Sequence, residues 1–486
     1  MQLARLNWNI IVKVTGILLV IEGLFVLSCL PVSLYFQGDD FKPLLLSGLI
    51  ILCTGFLFWF INRKANPNDV SKKESYLIVA LIWIIISAFG ALPYFISGYI
   101  PSYTDAFFET MSGFSTTGAS ILKDIEVIPK GLLYWRSLTC WMGGMGIIVL
   151  AVAILPFFGF GGMNILQAEA PGLTKDKLHP RIIIVARRFL GIYIGLTVLE
   201  IILLKVGGMP LYDAVSHSFC TIATAGFSPK NTSFVQYSPF IQYVVIFFMM
   251  LGGTNFALHY FFIKGQFSKV YKNEEFLFYL CILFFSAFFI AIGLFLTNNL
   301  NFEKSFRNSL FQVVSIVTCT GFISNDYMTW PSYLWFLLFL LMFSGGMTGS
   351  TAGSLKCMRH IILFKNVRSI FFKLIHPNAW LPVKYMGKVV QRDVIMSILA
   401  LFVIYMSTFA IGVFILVSFG LDLVDSCGSV ASCMGNIGPG LGSTGGIGNY
   451  AHLPYVSKWT LSALMLMGRL EFFSFLVVFS PGFWKK

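Results

Sequence analysis

Four short uncharged segments, each ending in glycine, have the residue types best suited to hold a bare ion. They are Thr116-Thr117-Gly118, Thr224-Ala225-Gly226, Cys319-Thr320-Gly321 and Asn436-Ile437-Gly438. Carbonyl oxygens on extended backbone can replace the water shell of a cation, whereas a divalent ion prefers carboxylate ligands, which these triplets lack. We therefore expect the triplets to favour a large monovalent cation, with K⁺ as the leading candidate.

Each triplet ends a 14-residue stretch that recurs along the chain. The stretches begin with Asp or Asn and end on the glycine, at 105–118, 213–226, 308–321 and 425–438. Asp and Asn are favourable helix N-caps, and glycine lets the chain turn out of a helix. Such a helix covers about 21 Å, less than the hydrocarbon layer of roughly 30 Å. Each stretch is therefore predicted to be a re-entrant helix that enters and leaves on one side of the membrane.

A second marker follows each terminal glycine after 24 to 30 residues. It is Gly143-Gly144, Gly252-Gly253, Gly345-Gly346 and finally Gly468-Arg469. Small residues allow membrane helices to pack closely, and close packing is as good an explanation as a position beside a pore. The repeated unit is thus a span, a re-entrant helix, an extended segment and a second span.

The composition indicates a polytopic membrane protein. Of the 486 residues, 57% are hydrophobic and 11% are charged, and the mean hydropathy is +0.80, whereas soluble proteins carry about 25% charged residues. Ten apolar stretches approach the length of a spanning helix. They lie near 10–36, 44–61, 76–97, 131–158, 181–206, 240–263, 276–297, 333–355, 393–419 and 458–482. The first exceeds a signal-peptide core of roughly 7–15 residues and is expected to remain as an uncleaved span.

The basic residues predict the topology. The net charge is +13, and 24 of the 34 Lys and Arg lie in segments 1–13, 62–75, 159–188, 264–275, 356–392 and 484–486. The positive-inside rule assigns all of these segments to the cytoplasm. We expect a multi-pass protein of the cell (inner or plasma) membrane with cytoplasmic N- and C-termini. Its partner is the lipid bilayer, and no nucleic acid is expected.

Together these patterns predict an all-α polytopic membrane protein. Four parallel span–pore-helix–filter–span repeats would surround a pseudo-fourfold central pore, in addition to two N-terminal transmembrane helices. The predicted units are the N-terminal helices at 1–75 and pore repeats at 76–170, 171–270, 271–375 and 376–486. Two spans per unit keep the copies parallel, unlike the inverted repeats of many secondary transporters.

Residues below the predicted filter are candidates for a gate. The second span of the third repeat is interrupted at 345–354 by Gly, Ala, Ser and Thr, which disfavour a continuous helix. Unwound backbone at this depth lines water or is buried, so the stretch either obstructs the ion path or forms a simple packing kink. Arg469 lies inside the last span, where charge is costly, and either faces the pore or pairs with Glu200 or Glu22. The candidate gating residues are Gly345, Gly346, Gly349, Gly353, Lys356, Arg359 and Arg469.

Acidic residues on the predicted outer side would concentrate cations at the pore mouth. They are Asp105, Glu109, Asp124, Glu126, Asp213, Glu303, Asp326, Asp422 and Asp425. For the three aligned aspartates that begin the repeated stretches, helix capping is the favoured explanation. The nine Cys are expected to be reduced. No Walker motif or spacing of catalytic residues indicates an enzyme or a nucleotide bound to this chain.

Several stretches resemble the TrkH/TrkG/KtrB family of potassium-uptake proteins. They are GGMGIIVLAVAILP (143–156), SGGMTGSTAG (344–353), GNIGPGLGSTG (435–445) and GRLEFF (468–473), and the resemblance runs from about residue 76 to the end. The two extra spans at 10–61 are similar to the TrkH branch. The resemblance implies a homodimer with a fourfold pore in each subunit, filter carbonyls from the four triplets, and a gating loop at 345–354. It also implies control by a cytosolic nucleotide-binding regulator of the TrkA/KtrA kind.

The predicted function is therefore potassium uptake through an ion-translocating pore, with K⁺ as the transported ion. A secondary transporter of a monovalent cation or another small solute, coupled to H⁺ or Na⁺, is the alternative. Cys319 and Ala225 depart from the residues commoner in such filters. With one glycine per repeat, the filter is simpler than the TVGYG type, so we expect looser discrimination of K⁺ from Na⁺ and Rb⁺.

Overall fold

The computed structural model describes residues 6–65, 71–146, 181–298, 301–378 and 381–484. The helices, in chain order, are α1 (Trp8–Leu27), α2 (Leu30–Tyr35), α3 (Phe41–Ile61), α4 (Lys72–Gly90), α5 (Leu92–Ser97), α6 (Tyr103–Phe114), α7 (Lys130–Met145), α8 (Arg181–Val206), α9 (Leu211–Ala223), α10 (Pro239–Gly252), α11 (Phe256–Ile263), α12 (Phe267–Tyr271), α13 (Glu274–Asn298), α14 (Phe302–Val317), α15 (Ser332–Leu341), α16 (Cys357–Ile375), α17 (Arg392–Ser418), α18 (Leu423–Gly435), α19 (Tyr455–Arg469), α20 (Phe473–Phe479) and α21 (Pro481–Trp484). Short 3₁₀ turns lie at Tyr327–Thr329 and Gly442–Thr444. Strands β1 (Lys384–Tyr385) and β2 (Lys388–Val389) form an antiparallel hairpin, with Lys384 opposite Val389.

Six apolar helical segments in the described ranges are long enough to cross a membrane. They are Trp8–Tyr35, Phe41–Ile61, Tyr76–Ser97, Val185–Val206, Glu274–Thr297 and Arg392–Ser418. They match six of the ten apolar stretches predicted from the sequence, which include the first span of every predicted repeat. The chain is therefore a mostly helical multi-pass membrane protein.

The two N-terminal spans pack tightly because glycines face each other across them. An ideal Cβ on Gly16 of α1 would lie 2.7 Å from the carbonyl oxygen of Gly55 of α3, and one on Gly55 would lie 2.7 Å from the carbonyl oxygen of Gly16. Gly23 and Gly48 make a second close approach about two turns further along. Small residues commonly allow this kind of backbone approach between membrane helices.

The second spans of the predicted repeats are broken more often than the sequence predicts. Helices α10 and α11 meet at 104°, since Asn255 interrupts the helix and caps α11 by accepting from the Ala257 amide at 2.8 Å. Helix α19 ends at Arg469, ahead of Glu471 and Phe472, which both have positive φ. The apolar stretches at 240–263 and 458–482 are therefore each divided between two helices. The span predicted at 131–158 is described only to residue 146, and most of the 143–156 motif and of the basic segment 159–188 lies outside the described residues.

The four predicted re-entrant stretches contain the short helices α6, α9, α14 and α18, which begin two or six residues earlier than expected. The prediction that Asp105, Asp213, Asn308 and Asp425 are N-caps is wrong. The three aspartates lie in the first turn, where a carboxylate favours the helix dipole, and Asn308 lies inside α14. Ser102 and Asp422 are the caps of α6 and α18, since their side chains accept from backbone amides.

The basic stretch 356–392 is more ordered than a loop. It contains α16 and the β1–β2 hairpin, and α16 leads directly out of the broken third-repeat span. Hydrophobic side chains of α9, α10, α13, α14 and α15 form one large buried cluster, and those of α1, α4, α6 and α7 form another. The four short helices are therefore held in the middle of the packed helices, and their C-terminal ends carry the triplets.

Candidate ion pathway

The four triplets have the same backbone conformation. Their first residues, Thr116, Thr224, Cys319 and Asn436, are left-handed, with φ between 53° and 57°. Their terminal glycines also have positive φ, between 72° and 106°. In each triplet the middle amide donates to the carbonyl five residues earlier at 2.8–2.9 Å, namely Thr117 to Ser112, Ala225 to Cys220, Thr320 to Ser315 and Ile437 to Ser432. Each of the four short helices thus ends in the same type of turn.

The triplets contact one another in a closed ring. An ideal Cβ on each terminal glycine would lie under 3.0 Å from the carbonyl oxygen of the middle residue in the next triplet. The pairs are Gly118 with Ala225, Gly226 with Thr320, Gly321 with Ile437 and Gly438 with Thr117. All four glycines also line one cavity of about 80 Å³. The structure therefore brings together the middle residue and the terminal glycine of every predicted filter triplet, and the glycines have neither the φ nor the space for a side chain.

Side chains in the triplets bind to the protein around them. The hydroxyls of Ser115 and Thr117 hydrogen-bond to each other at 2.7 Å, as do those of Thr318 and Thr320. The Asn436 amide donates to Thr117 Oγ1 at 3.0 Å and to the Met465 carbonyl at 2.9 Å. Asn436 therefore ties the fourth triplet to the first and to α19. Thr116 Oγ1 and Asn436 Oδ1 are buried with no hydrogen-bond partner in the described ranges, so the ring has these side-chain oxygens in addition to its backbone carbonyls.

The paired glycines pack against the ends of the short helices. An ideal Cβ on Gly144 would lie 2.7 Å from Ala223 at the end of α9, and one on Gly253 would lie 2.8 Å from Thr318 after α14. The first glycines of the pairs lie equally close to the helix of their own repeat, Gly143 beside the carbonyl oxygen of Phe114 and Gly468 beside that of Met434. Close packing thus accounts for these glycines, and it occurs directly behind the ring.

The broken stretch 345–354 lies behind the ring as well. The Thr351 hydroxyl lies 3.1 Å from the carbonyl oxygens of Ile222 and Gly252, and the Met347 amide donates to the Gly253 carbonyl at 2.9 Å. An ideal Cβ on Gly353 would lie 2.9 Å from the Asn436 Cβ. The stretch therefore contacts the second and fourth repeats and is more than a simple kink in its own span.

The basic candidates for gating hold this stretch from below. Arg469 donates to the carbonyl oxygen of Thr351 at 2.9 Å and to that of Gly143 at 2.6 Å. The Lys356 ammonium donates to the carbonyl oxygen of Ala352, and Arg359 pairs with Glu471. Arg469 thus binds backbone carbonyl oxygens of both the broken stretch and α7.

The sequence-based partners proposed for Arg469 are not found. Glu22 and Glu200 are 1% and 0% exposed, and their carboxyl oxygens accept no hydrogen bond within the described ranges. An ideal Cβ on Gly90 would lie 2.7 Å from the Glu22 carboxyl, so that carboxyl faces α4. The pairing of Arg469 with either glutamate is therefore wrong.

The chain matches the TrkH family model, described as a cation transport protein, over residues 43–486. The chain belongs to this family. It is 36% identical to the Trk system potassium uptake protein TrkH of Salmonella typhimurium, over 99% of this chain and 100% of that protein. It is 31% identical to TrkG of Escherichia coli, over 98% of this chain and 99% of that protein. The crystal structure of the potassium transporter TrkH from Vibrio parahaemolyticus has a TM-score of 0.89 and 32% identity, covering 99% of this chain and 100% of that chain.

Membership of the TrkH family confirms the resemblance to TrkH, TrkG and KtrB that the sequence motifs indicate. It also confirms that the protein is a transporter rather than an enzyme. The family match begins at residue 43, inside the second N-terminal span, whereas the motifs alone carry the resemblance only from about residue 76. The alignments with TrkH relatives extend over nearly the whole chain.

Two ion pairs at the site, one buried and one partly buried, are absent from the sequence-based prediction. Glu109, expected at the mouth, is buried and pairs with Arg136 at 2.7 Å, so it is not available to attract cations there. Asp105 pairs with Lys458 of α19, also at 2.7 Å. A charge within an apolar stretch is expensive unless it is paired, and that rule applied to Arg136 is the signal that would have found the first pair.

Asp124 and Glu126 are exposed, whereas Asp213, also expected at the mouth, is buried. Glu126 pairs with Lys230 at 3.5 Å, with both side chains partly exposed. Asp124 accepts from the Asn231 amide at 2.8 Å. This hydrogen bond, helped by one from the Glu126 amide, lowers the pKa of the Asp124 carboxyl. Asp124 and Glu126 therefore fasten the first-repeat loop to the second-repeat loop beside the cavity.

Proposed function

We propose that this protein is the K⁺-translocating pore of a potassium uptake system, the activity named for its relatives TrkH and TrkG. The observation that carries the proposal is the closed ring of four triplets around one cavity. Dehydrating K⁺ requires fixed oxygens that replace its water shell. A ring of buried backbone carbonyls without a charged side chain supplies oxygens of this kind.

Ions pass through the ring, and the four triplets are the filter. The Thr117 and Thr320 hydroxyls are engaged with their neighbours, so the main-chain oxygens are the principal ligands, and the Thr116 hydroxyl, which has no partner in the described ranges, is a further candidate. Cys319 and Ala225 contribute in the same way, through the backbone, and these departures do not remove a ligand. The short helices direct their C-terminal dipole ends toward the pathway, which disfavours anions.

The stretch 345–354 and Arg469 form the gate of this pathway. The stretch lies against the filter helices, and Arg469 holds it through the Thr351 carbonyl. A fixed positive charge beneath a cation filter repels the ion, more strongly in a low-dielectric site than in water. Conduction therefore requires Arg469 and the stretch to move together. Lys356 and Arg359 hold the cytoplasmic end of the stretch in the closed arrangement.

The proposed regulator and oligomeric state are those implied by the resemblance to the TrkH/TrkG/KtrB family. The protein works as a homodimer in the cell inner membrane, with both termini cytoplasmic and four pore repeats at 76–170, 171–270, 271–375 and 376–486. A cytosolic TrkA/KtrA-like nucleotide-binding protein controls it. Support comes from α16, which begins three residues after the proposed gate and exposes Arg368, Lys373 and Phe371. A partner that binds α16 can pull on the gate directly.

Coupled transport is the second candidate, and one observation favours it. The carboxyls of Glu22 and Glu200 are buried without a hydrogen-bond partner in the described part of the chain. Carboxyls inside a membrane commonly serve proton relays. Glutamine at both positions would remove a dependence of K⁺ uptake on the proton gradient if H⁺ is co-transported, and would leave a passive pore unchanged.

Growth on limiting K⁺ tests the pore itself. An uptake-deficient host would carry Gly118→Ser, Gly226→Ser, Gly321→Ser or Gly438→Ser, with Gly195→Ser as the matched control. Gly195 is exposed on α8 and has no atom within 4 Å of an ideal Cβ. We expect each ring variant to reach the membrane and to lose growth at low K⁺, while the control grows like the parent. Parental growth of all four ring variants would refute the proposed filter.

A further inference from the structure

The residue nine positions before each terminal glycine is a buried polar residue that differs in every repeat. It is Glu109, His217, Gln312 and Ser429 in turn, and each is 1% exposed or less. This position lies on the short helix, one turn or more before the triplet. The four residues therefore occupy equivalent places behind the filter, and comparing them isolates what their side chains do.

In the first repeat this residue fastens the backbone that leaves the filter. Glu109 accepts from the Ser120 hydroxyl at 2.9 Å and from the Ile121 amide at 2.8 Å, two and three residues after Gly118. The same carboxyl binds Arg136 of α7. Hydrogen bonds to charged groups are stronger than neutral ones, and within a low-dielectric interior they fix geometry firmly.

Arg136 extends this brace to the second repeat. Its guanidinium donates to the Ser228 carbonyl at 3.0 Å, two residues after Gly226, and lies 3.6 Å from the Phe227 ring centroid. Arg136 also lines the cavity that the filter glycines share. The Glu109–Arg136 ion pair thus contacts the backbone immediately after two adjacent triplets, those that end at Gly118 and Gly226.

The equivalent residues of the second and fourth repeats make neutral contacts of the same kind. His217 Nε2 lies 3.0 Å from Ser228 Oγ, and the Ser429 hydroxyl lies 2.9 Å from that of Thr444. In the third repeat neither amide atom of Gln312 has a hydrogen-bond partner in the described ranges. At this position the first repeat therefore has a charged side chain bound to the backbone that follows its triplet. The third repeat has no such hydrogen bond from Gln312 in the described ranges.

We propose that Glu109 and Arg136 are positioning residues that determine ion selectivity, by holding the exits of the first and second filter segments. This inference rests on the proposed filter. Selectivity among monovalent cations depends on where the coordinating carbonyls lie and how many there are. The Glu109–Arg136 pair contacts no ion but fixes the backbone beside two of the four triplets, and so controls that geometry. Weakening this pair increases Na⁺ permeation relative to K⁺ and does not block the pathway.

The test is the ratio of Na⁺ to K⁺ flux in proteoliposomes reconstituted with the purified full-length protein. Glu109→Gln keeps a hydrogen-bonding side chain but removes the charge, and Arg136→Lys keeps the charge but removes the planar donors. The Glu109→Gln/Arg136→Gln double variant removes both charges, so it leaves no unpaired ion and guards against failure to fold. We expect the ratio to rise about fivefold in the double variant, the equivalent of one net hydrogen bond, with a smaller rise in Arg136→Lys.

Gln312→Met is the matched control, because it changes the equivalent buried position where no hydrogen bond is lost. We expect it to retain the parental flux ratio. A parental ratio in the folded double variant overturns the brace, and so does an equal rise in Gln312→Met. Gly226→Ser, measured alongside, separates the two proposals: if that variant also leaves the ratio unchanged, the filter assignment fails, whereas a changed ratio in Gly226→Ser alone rejects only the brace.

Discussion

Replacing Gly226 by alanine separates backbone strain from disruption of the ring. Gly226 has φ of 72°, and an ideal Cβ there would lie under 3.0 Å from the Thr320 carbonyl oxygen and 3.2 Å from the Gly321 Cα. Gly98 has nearly the same φ, 76°, but no atom within 4 Å of its ideal Cβ. The two substitutions therefore share a conformational cost and differ in the clash with the neighbouring triplet.

The sizes of the two effects follow from this difference. A left-handed alanine costs about 1–2 kcal/mol relative to glycine, and the reduced freedom of the unfolded chain returns about 0.4–1 kcal/mol of this. Gly98→Ala should therefore lower stability by about 1 kcal/mol or less and leave transport intact. Forcing a methyl group into a packed site adds about 1–3 kcal/mol. In Gly226→Ala that strain falls on the Thr320 carbonyl, one of the proposed ligands.

Two measurements on each purified variant decide the outcome. Thermal unfolding in detergent reports stability, and Rb⁺ or K⁺ flux into proteoliposomes reports the pathway. We expect Gly98→Ala to transport at the parental rate and Gly226→Ala to lose most of its flux or its preference for K⁺ over Na⁺. Parental flux and preference in a folded Gly226→Ala would show that the ring of triplets does not coordinate the ion.

Three further predictions concern the gate, an ion pair and the mouth. Deleting part of 345–354 should raise cation flux measured without a regulator if the stretch obstructs the pathway as we propose; unchanged flux in a folded variant contradicts this. Lys458→Met should lower the free energy of unfolding by about 1–3 kcal/mol, because it leaves the partly buried Asp105 carboxylate unpaired, and adding Asp105→Asn should recover part of the loss in a double-mutant cycle. Asn231→Ala should raise the pKa of Asp124, whose folded value is now lowered by the Asn231 hydrogen bond. The stabilisation from this bond is therefore present above the ordinary carboxyl pKa and is lost as pH falls through the lowered value, and NMR titration of labelled aspartate in both proteins checks the shift.

The four triplets of the ring could be located from sequence because the terminal glycine is a local requirement. A backbone turn with positive φ at the end of each short helix calls for glycine, and four such turns after similar helices leave a readable repeat. The six continuous spans could be predicted for the same kind of reason, since length and hydropathy are local properties.

The Asp105–Lys458 ion pair could not be predicted because its partners are distant in sequence. Asp105 and Lys458 lie 353 positions apart, and no spacing rule joins them. Hydropathy also fails to detect the breaks at Asn255 and at Glu471–Phe472, since the residues on both sides are apolar. The N-caps were misplaced by a few residues because an aspartate in the first turn has the same composition signal as one at the cap.

Because the four triplets of the ring lie on one polypeptide, the residues around each triplet can differ from those around the other three. In a tetramer of identical subunits, an unwound stretch such as 345–354 or a cation such as Arg469 would appear four times at once, and four guanidinium groups would crowd a single axis. Here each appears once, and Arg469 donates both to Thr351 of the stretch and to Gly143 of α7. In the proposed pore, one repeat supplies the obstructing stretch, another the blocking charge and a third the buried ion pair behind the filter. A point mutation can therefore change one of these features without being repeated in the other three quarters of the ring.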